Sequence, residues 1–192
     1  GHPDGTINAE MSGRGLKLQD SVIIAGLGPS LSGILDFDMT LKGPVLSPDS
    51  EIKGLLTKTP IGEFGVADSP FRLELTKKAV SGEGRFLGGI IDAKFILPFS
   101  DDSPFLLKAQ TQNWNFAPFF APTTGPSRHR DYDITLTGAI DIASSTGGFW
   151  NASGTFQADK FSLVRGTQSL ANQVPISARM KNGQIEVEKF EL

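Results

Sequence analysis

The chain reads as an all-β protein assembled from repeated strand units, with almost no helix. Three observations predict this. Apolar and polar residues alternate with a period of two nearly everywhere, as a strand with one greasy and one wet face requires. The 22 glycines and 12 prolines fall mostly between the alternating runs, where turns need them. One strand pattern is also written twice, about a hundred residues apart. Leu35-Asp36-Phe37-Asp38-Met39-Thr40-Leu41-Lys42-Gly43 returns as Tyr132-Asp133-Ile134-Thr135-Leu136-Thr137-Gly138, and Gly54 and Pro70 find their echoes in Gly154 and Pro175. Kept order with drifting spacing means one unit with loop insertions, and such repeats build elongated structures.

Taken in order, Leu35, Phe37, Met39 and Leu41 share one face, with Asp36, Asp38, Thr40 and Lys42 on the other. Phe71, Leu73 and Leu75 alternate with Arg72, Glu74 and Thr76, and Ile91, Ala93, Phe95 and Leu97 with Asp92, Lys94 and Ile96. Ile134, Leu136 and, past Gly138, Ile140 and Ile142 repeat the arrangement, and Phe156, Ala158, Ile176, Ala178, Met180, Ile185 and Val187 continue it to the end. Glycines inside the runs (Gly13, Gly43, Gly54, Gly84, Gly138, Gly154) predict bulges or bends that curve a sheet. The one departure is the aromatic segment Trp114 to Pro122, where Pro118 and Pro122 forbid a regular helix. Its aromatics Trp114, Phe116, Phe119 and Phe120 are expected to form a joint between the copies, or a plug at the end of a core. The polar stretch 123–130 marks the boundary, giving a first unit over 1–122 and a second, truncated unit over 123–192. With no amphipathic helix to cover them, the apolar faces are buried either by two sheets facing each other in a closed sandwich or by one sheet curling over itself.

Composition narrows the function classes. A hydrophobic fraction of 39% and a charged fraction of 20% suit a folded chain rather than a disordered one. The net charge of −3, without a basic cluster, argues against a nucleic-acid partner. The absence of cysteine removes disulfides, thiolate metal sites and a cysteine nucleophile. No apolar stretch approaches the length needed to span a bilayer, so any membrane anchor is expected outside this sequence.

Catalysis finds no foothold. Ser127-Arg128-His129-Arg130-Asp131 contains the letters of a kinase catalytic loop, but the glycine-rich loop, paired lysine and metal-binding aspartate of a kinase are missing. Gly26-Leu27-Gly28 and Gly82-Glu83-Gly84 lack the spacing of a dinucleotide loop. The pairs Asp36/Asp38 and Asp131/Asp133 put two carboxylates on one face, as acid–base work needs, yet that face is the wet one and solubilising charge explains them. Asn151-Ala152-Ser153 matches a glycosylation sequon, a motif too short to argue from. The expectation is a non-enzyme with no cofactor and no metal.

Short alternating strands punctuated by glycine, as in Leu31-Ser32-Gly33-Ile34-Leu35-Asp36-Phe37, Leu41-Lys42-Gly43-Pro44-Val45 and Ile52-Lys53-Gly54, followed by Phe71-Arg72-Leu73-Glu74-Leu75 and Gly84-Arg85-Phe86-Leu87-Gly88-Gly89, resemble the periplasmic repeat region of TamB-like proteins (translocation and assembly module) in the AsmA-like superfamily. The segment Asn115-Phe116-Ala117-Pro118-Phe119-Phe120 is similar to a joint between such segments. The resemblance implies a β-taco, one continuous curled sheet around a hydrophobic groove, in an inner-membrane-anchored protein that crosses the periplasm of diderm bacteria. It implies cell-envelope biogenesis by phospholipid transport towards the outer membrane. The alternative is outer-membrane protein assembly or secretion, in which the module templates β-strands beside a barrel assembly protein, or a closed sandwich with a structural role. On that reading the groove is lined by Leu35, Phe37, Met39, Leu41, Phe71, Leu73, Leu75, Phe95, Leu97, Ile134, Leu136, Ile140 and Phe156. Its partner is the phospholipid acyl chain.

Overall fold

Alternation over so much of the chain leaves only strands to be formed, and short connections make each strand pair with the one before it. In the computed structural model, which describes residues 5–18, 33–61, 64–115, 133–146 and 148–191, twelve strands make a single antiparallel sheet. They are β1 (Thr6–Lys17), β2 (Ile34–Pro44), β3 (Asp49–Ile61), β4 (Phe64–Leu75), β5 (Ala79–Phe86), β6 (Ile91–Pro98), β7 (Phe105–Asn115), β8 (Asp133–Ser144), β9 (Ser153–Arg165), β10 (Gln168–Ala171), β11 (Ile176–Lys181) and β12 (Gln184–Lys189). The order is that of the sequence, except that β10 and β11 both pair with β9. β10 takes the Ser162–Arg165 end of β9 and β11 the Ser153–Ala158 end, so the two act as one interrupted strand. The sheet is a meander that does not close, and it curls rather than folding into two facing layers.

Register explains the curl. The ladders break between Gly13 and Leu16 in β1–β2, between Leu56 and Thr59 in β3–β4, between Thr111 and Trp114 in β7–β8, and between Thr137 and Gly138 in β8–β9. Followed across the sheet by residue pairing, these breaks stand at nearly the same level. A bulge kinks its strand and raises the local twist, so bulges in line crease the sheet along that line. The hairpin between β5 and β6 turns back at this level through a 3₁₀ turn, Leu87–Gly89, whose Leu87 N–H donates to the buried Ser69 Oγ at 3.0 Å. The gap between β10 and β11 falls there too. Asn172 fills it, its Oδ1 accepting the Phe161 N–H and its Nδ2 donating to the Val174 carbonyl at 2.7 Å.

Two of the bulges are built alike. In β1 the left-handed Gly15 (φ 66) donates its N–H to Asp36 Oδ1 on β2 at 2.6 Å. In β7 the left-handed Asn113 (φ 48) donates its N–H to Thr137 Oγ1 on β8 at 2.9 Å. Both bulges follow one plan, a left-handed residue donating its N–H to a side chain of the next strand. Gly43 lies next to the end of β2 (φ 112), whereas Gly138 sits at a bulge inside β8. Asp36 and Thr137 play the same part in the two bulges, β7 standing to β8 there as β1 stands to β2. Pairing of β6 with β7 and of β7 with β8 makes one continuous sheet of both copies. Removing the Asp36 carboxylate (Asp36→Ala) or the Thr137 hydroxyl (Thr137→Val) is expected to cost about 1 kcal/mol each in urea unfolding, the usual size for one hydrogen bond.

One corner of the sheet is closed. Phe105, Ile142, Ala152 and Met180 form a buried cluster, with Leu107 and Ile140 packed on it. It is sealed by a 3₁₀ turn between β8 and β9, Gly148–Asn151, whose Phe149 meets Phe105 edge to face at a centroid distance of 5.6 Å. Met180→Ala is expected to destabilise the chain by about 2–4 kcal/mol, because the cavity it opens is walled by strands that cannot collapse into it. Chemical unfolding measures this directly.

Candidate functional site

Directly opposed residues in an antiparallel ladder lie on the same face, so the pairing list reads out the composition of each face. One row runs Met11, Met39, Ile52, Leu73, Gly82, Phe95, Leu107, Ile142, Gly154, Met180, Ile185 from β1 to β12. The next runs Gly13, Phe37, Gly54, Phe71, Gly84, Ala93, Ala109, Ile140, Phe156, Ala178, Val187. On either side, Leu35 faces Leu56, Leu41 faces Ser50, Leu75 faces Val80 and Val80 faces Leu97. Beyond the crease, Trp114 faces Leu136 and Ile134 faces Leu163. All thirteen residues predicted for the groove thus belong to one face. With ten inter-strand steps of about 4.8 Å, that face is about 48 Å long.

Large and small residues alternate along these rows. The Phe71 ring lies over Gly54, the Phe37 ring over Gly13, and Phe95 with Leu73 over Gly82. A curled sheet crowds side chains on its concave side, and alternation of this kind lets them fit. The apolar face is accordingly the inner one. Its residues are mostly half-buried by each other, and Leu75, Leu97 and Phe156 are exposed. Among the described residues no second layer covers them; only the Phe105–Met180 corner is closed. Gly54 and Gly84 occupy regular ladder positions instead of the bulges the sequence suggested, Gly54 making room for the Phe71 ring and Gly84 for the Phe86 ring. Gly138 and Gly154 differ, since a Cβ on either would collide with the backbone of the neighbouring strand.

Where the inner face crosses the crease it deepens into a hollow of about 150 Å³, walled by Ile91, Thr111, Trp114, Leu136, Ile140 and Phe156 over Gly138. Trp114 is expected from the sequence at a joint between copies. It belongs to β7, half-buried and opposite Leu136, because the strand continues past the bulge at Asn113. Phe116, Phe119 and Phe120 lie outside the described residues, as do His129 and Asp131. The aromatic pair Phe149–Trp150 and the break-filling Asn172 had no assigned role in the sequence reading. A Gly-Gly-Phe-Trp run between two strands is the signal that marks the first.

The outer face is polar and its charges are paired, mostly across strands. Arg14 meets Asp38 at 2.6 Å, Arg72 meets Glu51 at 3.2 Å and Glu74 at 2.8 Å, Lys94 meets Glu83 at 3.4 Å, and Lys108 meets Asp141 at 2.8 Å. A hydrogen bond from Lys53, aided by the Arg72 charge, holds the Glu51 carboxyl below its ordinary range. These pairs are solvent-exposed and screened by water, and serve to keep the outer face wet and in register. Asp36 and Asp38 are both engaged, one at the bulge and one with Arg14, and Asp133 accepts from Asn115 Nδ2 at 3.2 Å. Among the described residues no three histidine or carboxylate side chains are grouped to hold a metal. None of the helices there is long and apolar enough to cross a membrane.

Fold and face together define an open, curled antiparallel sheet with a continuous apolar interior. No protein-family model matches the chain, and neither a curated protein nor a solved structure is significantly similar to it.

Proposed function

We propose that this chain is a non-enzymatic segment of a bridge-like cell-envelope protein, and that its apolar trough carries phospholipid acyl chains. The observation that supports the reading is the unbroken apolar face, crossing eleven strands in register with no covering layer among the described residues. An acyl chain of about sixteen carbons loses roughly 12 kcal/mol on exposure to water at ~0.8 kcal/mol per methylene, and half-buried side chains such as Phe37, Phe71 and Leu136 offset much of it. Contacts of this kind are non-directional. They hold a chain without fixing it, so lipid slides and headgroups are not selected. The outer charges keep the other face in water.

Resemblance to TamB-like proteins sets the wider proposal: an inner-membrane-anchored protein, its anchor outside this sequence, with this segment in the periplasm passing lipid towards the outer membrane. The closed-sandwich reading required two facing sheets, and the chain folds as one. Native mass spectrometry with lipid extraction, on chain recovered from a bacterial periplasm, tests the proposal. Mixed phospholipids at less than one per chain are the expected result. A clean apo mass that does not change on incubation with labelled phospholipid refutes it.

A further inference from the structure

In an antiparallel meander every second turn falls on the same side, so the turns after β2, β4, β6, β8 and β11 make one lip of the trough. Three of them carry large apolar side chains at their tips. Leu46 is 75% exposed with Val45 beside it, Phe99 is 59% exposed and Trp150 is 73% exposed. The backbone braces each tip. The Val45 N–H donates to the Gly5 carbonyl at 3.0 Å, the Phe99 N–H to the Lys78 carbonyl at 2.8 Å and the Ala152 N–H to the Phe149 carbonyl at 3.0 Å. Trp150 stands edge to face on Phe149, which stands in the same way on Phe105 of the closed corner. Phe99 lies two residues beyond Leu97 in the same alternation, and Leu97 is itself exposed, so the apolar interior runs out over the lip there. In strand steps of about 4.8 Å, the tips stand about 19 Å and then about 10 Å apart. The turn after β4, Thr76-Lys77-Lys78, is polar, and the turn charges cancel, Lys77 and Lys78 against Asp101 and Asp102.

We infer that this lip is a membrane-docking line, which seats on a bilayer surface with Leu46, Phe99 and Trp150 in the interface. Exposed apolar side chains gathered on one side of a molecule mark a contact surface. Tips set apart along a line give a folded partner no contiguous patch to cover. A bilayer is flat and fluid, and it receives them all without matching a shape. Tryptophan suits that depth, its amphipathic ring resting at the headgroup level. With the turn charges balanced and a net charge of −3, the attraction is apolar, and zwitterionic lipid serves as well as anionic. Such seating holds whatever the trough carries, and it brings the apolar interior up to a leaflet at Phe99.

The test is co-sedimentation of the whole chain with vesicles of phosphatidylcholine, and with vesicles in which phosphatidylglycerol replaces part of it. Equal binding to both is expected. Leu46→Ser, Phe99→Ser and Trp150→Ser, each checked for an unchanged melting temperature, are expected to weaken binding about tenfold apiece, the scale of burying one such side chain. Phe190→Ser, as exposed as Phe99 but at the end of β12 away from the lip, is expected to change nothing. In a Trp114→Phe chain Trp150 is the one remaining tryptophan, and its emission is expected to shift to the blue and to be quenched by vesicles with brominated acyl chains. Binding confined to anionic vesicles, an equal loss with Phe190→Ser, or unchanged Trp150 emission each overturns the inference. So does self-association without lipid that the same three substitutions abolish, which marks a protein interface instead.

Discussion

Chain carrying Phe37→Asp or Leu136→Lys is expected to come out of the periplasm empty of phospholipid. Phe37 is flanked in register by Gly13 and Gly54, so an aspartate there finds room and leaves the strands paired while placing a charge in the middle of the inner face. Leu136 walls the hollow beside Trp114, and a lysine there occupies that apolar volume with a group that keeps its water. Displacing as few as three methylenes from contact removes about 2.4 kcal/mol, and every 1.4 kcal/mol is tenfold in occupancy, so a drop of roughly fifty-fold is expected. The control is a charge change on the outer face, Lys53→Glu, which shifts net charge further than Phe37→Asp yet leaves the interior untouched. Strand circular dichroism and the melting temperature establish that each variant is folded. Full lipid loading in a folded Phe37→Asp chain sinks the trough reading.

Gly154→Ala is expected to be among the most damaging single-methyl additions in the chain. Its Cβ would strike the Asp141 carbonyl oxygen and come within 2.7 Å of the Ile142 Cα, and neither can move without parting β8 from β9. A cost of about 3 kcal/mol or more follows, since overpacking against main chain has no side-chain rotation to relieve it. For a chain of this size that lowers the melting temperature by roughly 6–12 °C. Gly54→Ala supplies the contrast. Its Cβ meets only the outer atoms of the Phe71 ring, which can swing aside, and a loss of about 1 kcal/mol is expected. Equal melting temperatures for the two variants would show that the β8–β9 ladder is looser than its register implies.

The face to which each groove residue belongs was legible without a structure. In a strand, successive side chains alternate by geometry, so Leu35, Phe37, Met39 and Leu41 had to point one way and Asp36 and Asp38 the other, whatever their partners. Strand-forming character and turn positions followed from equally local signals. Register did not, because it is set by hydrogen bonds between residues far apart in the chain, and a slip of one residue is invisible to periodicity. The level of the crease, the shared part of Asp36 and Thr137 in the two bulges, and the place of Trp114 inside β7 all depend on register. So does the division of labour among the glycines: Gly54 and Gly84 make room for the rings of Phe71 and Phe86, while Gly138 and Gly154 let two backbones approach. Alternation by itself determined that this protein has one apolar face; only the alignment of its strands decided that the face is continuous, creased and open, because a sheet bends where its bulges line up and not where any one strand dictates.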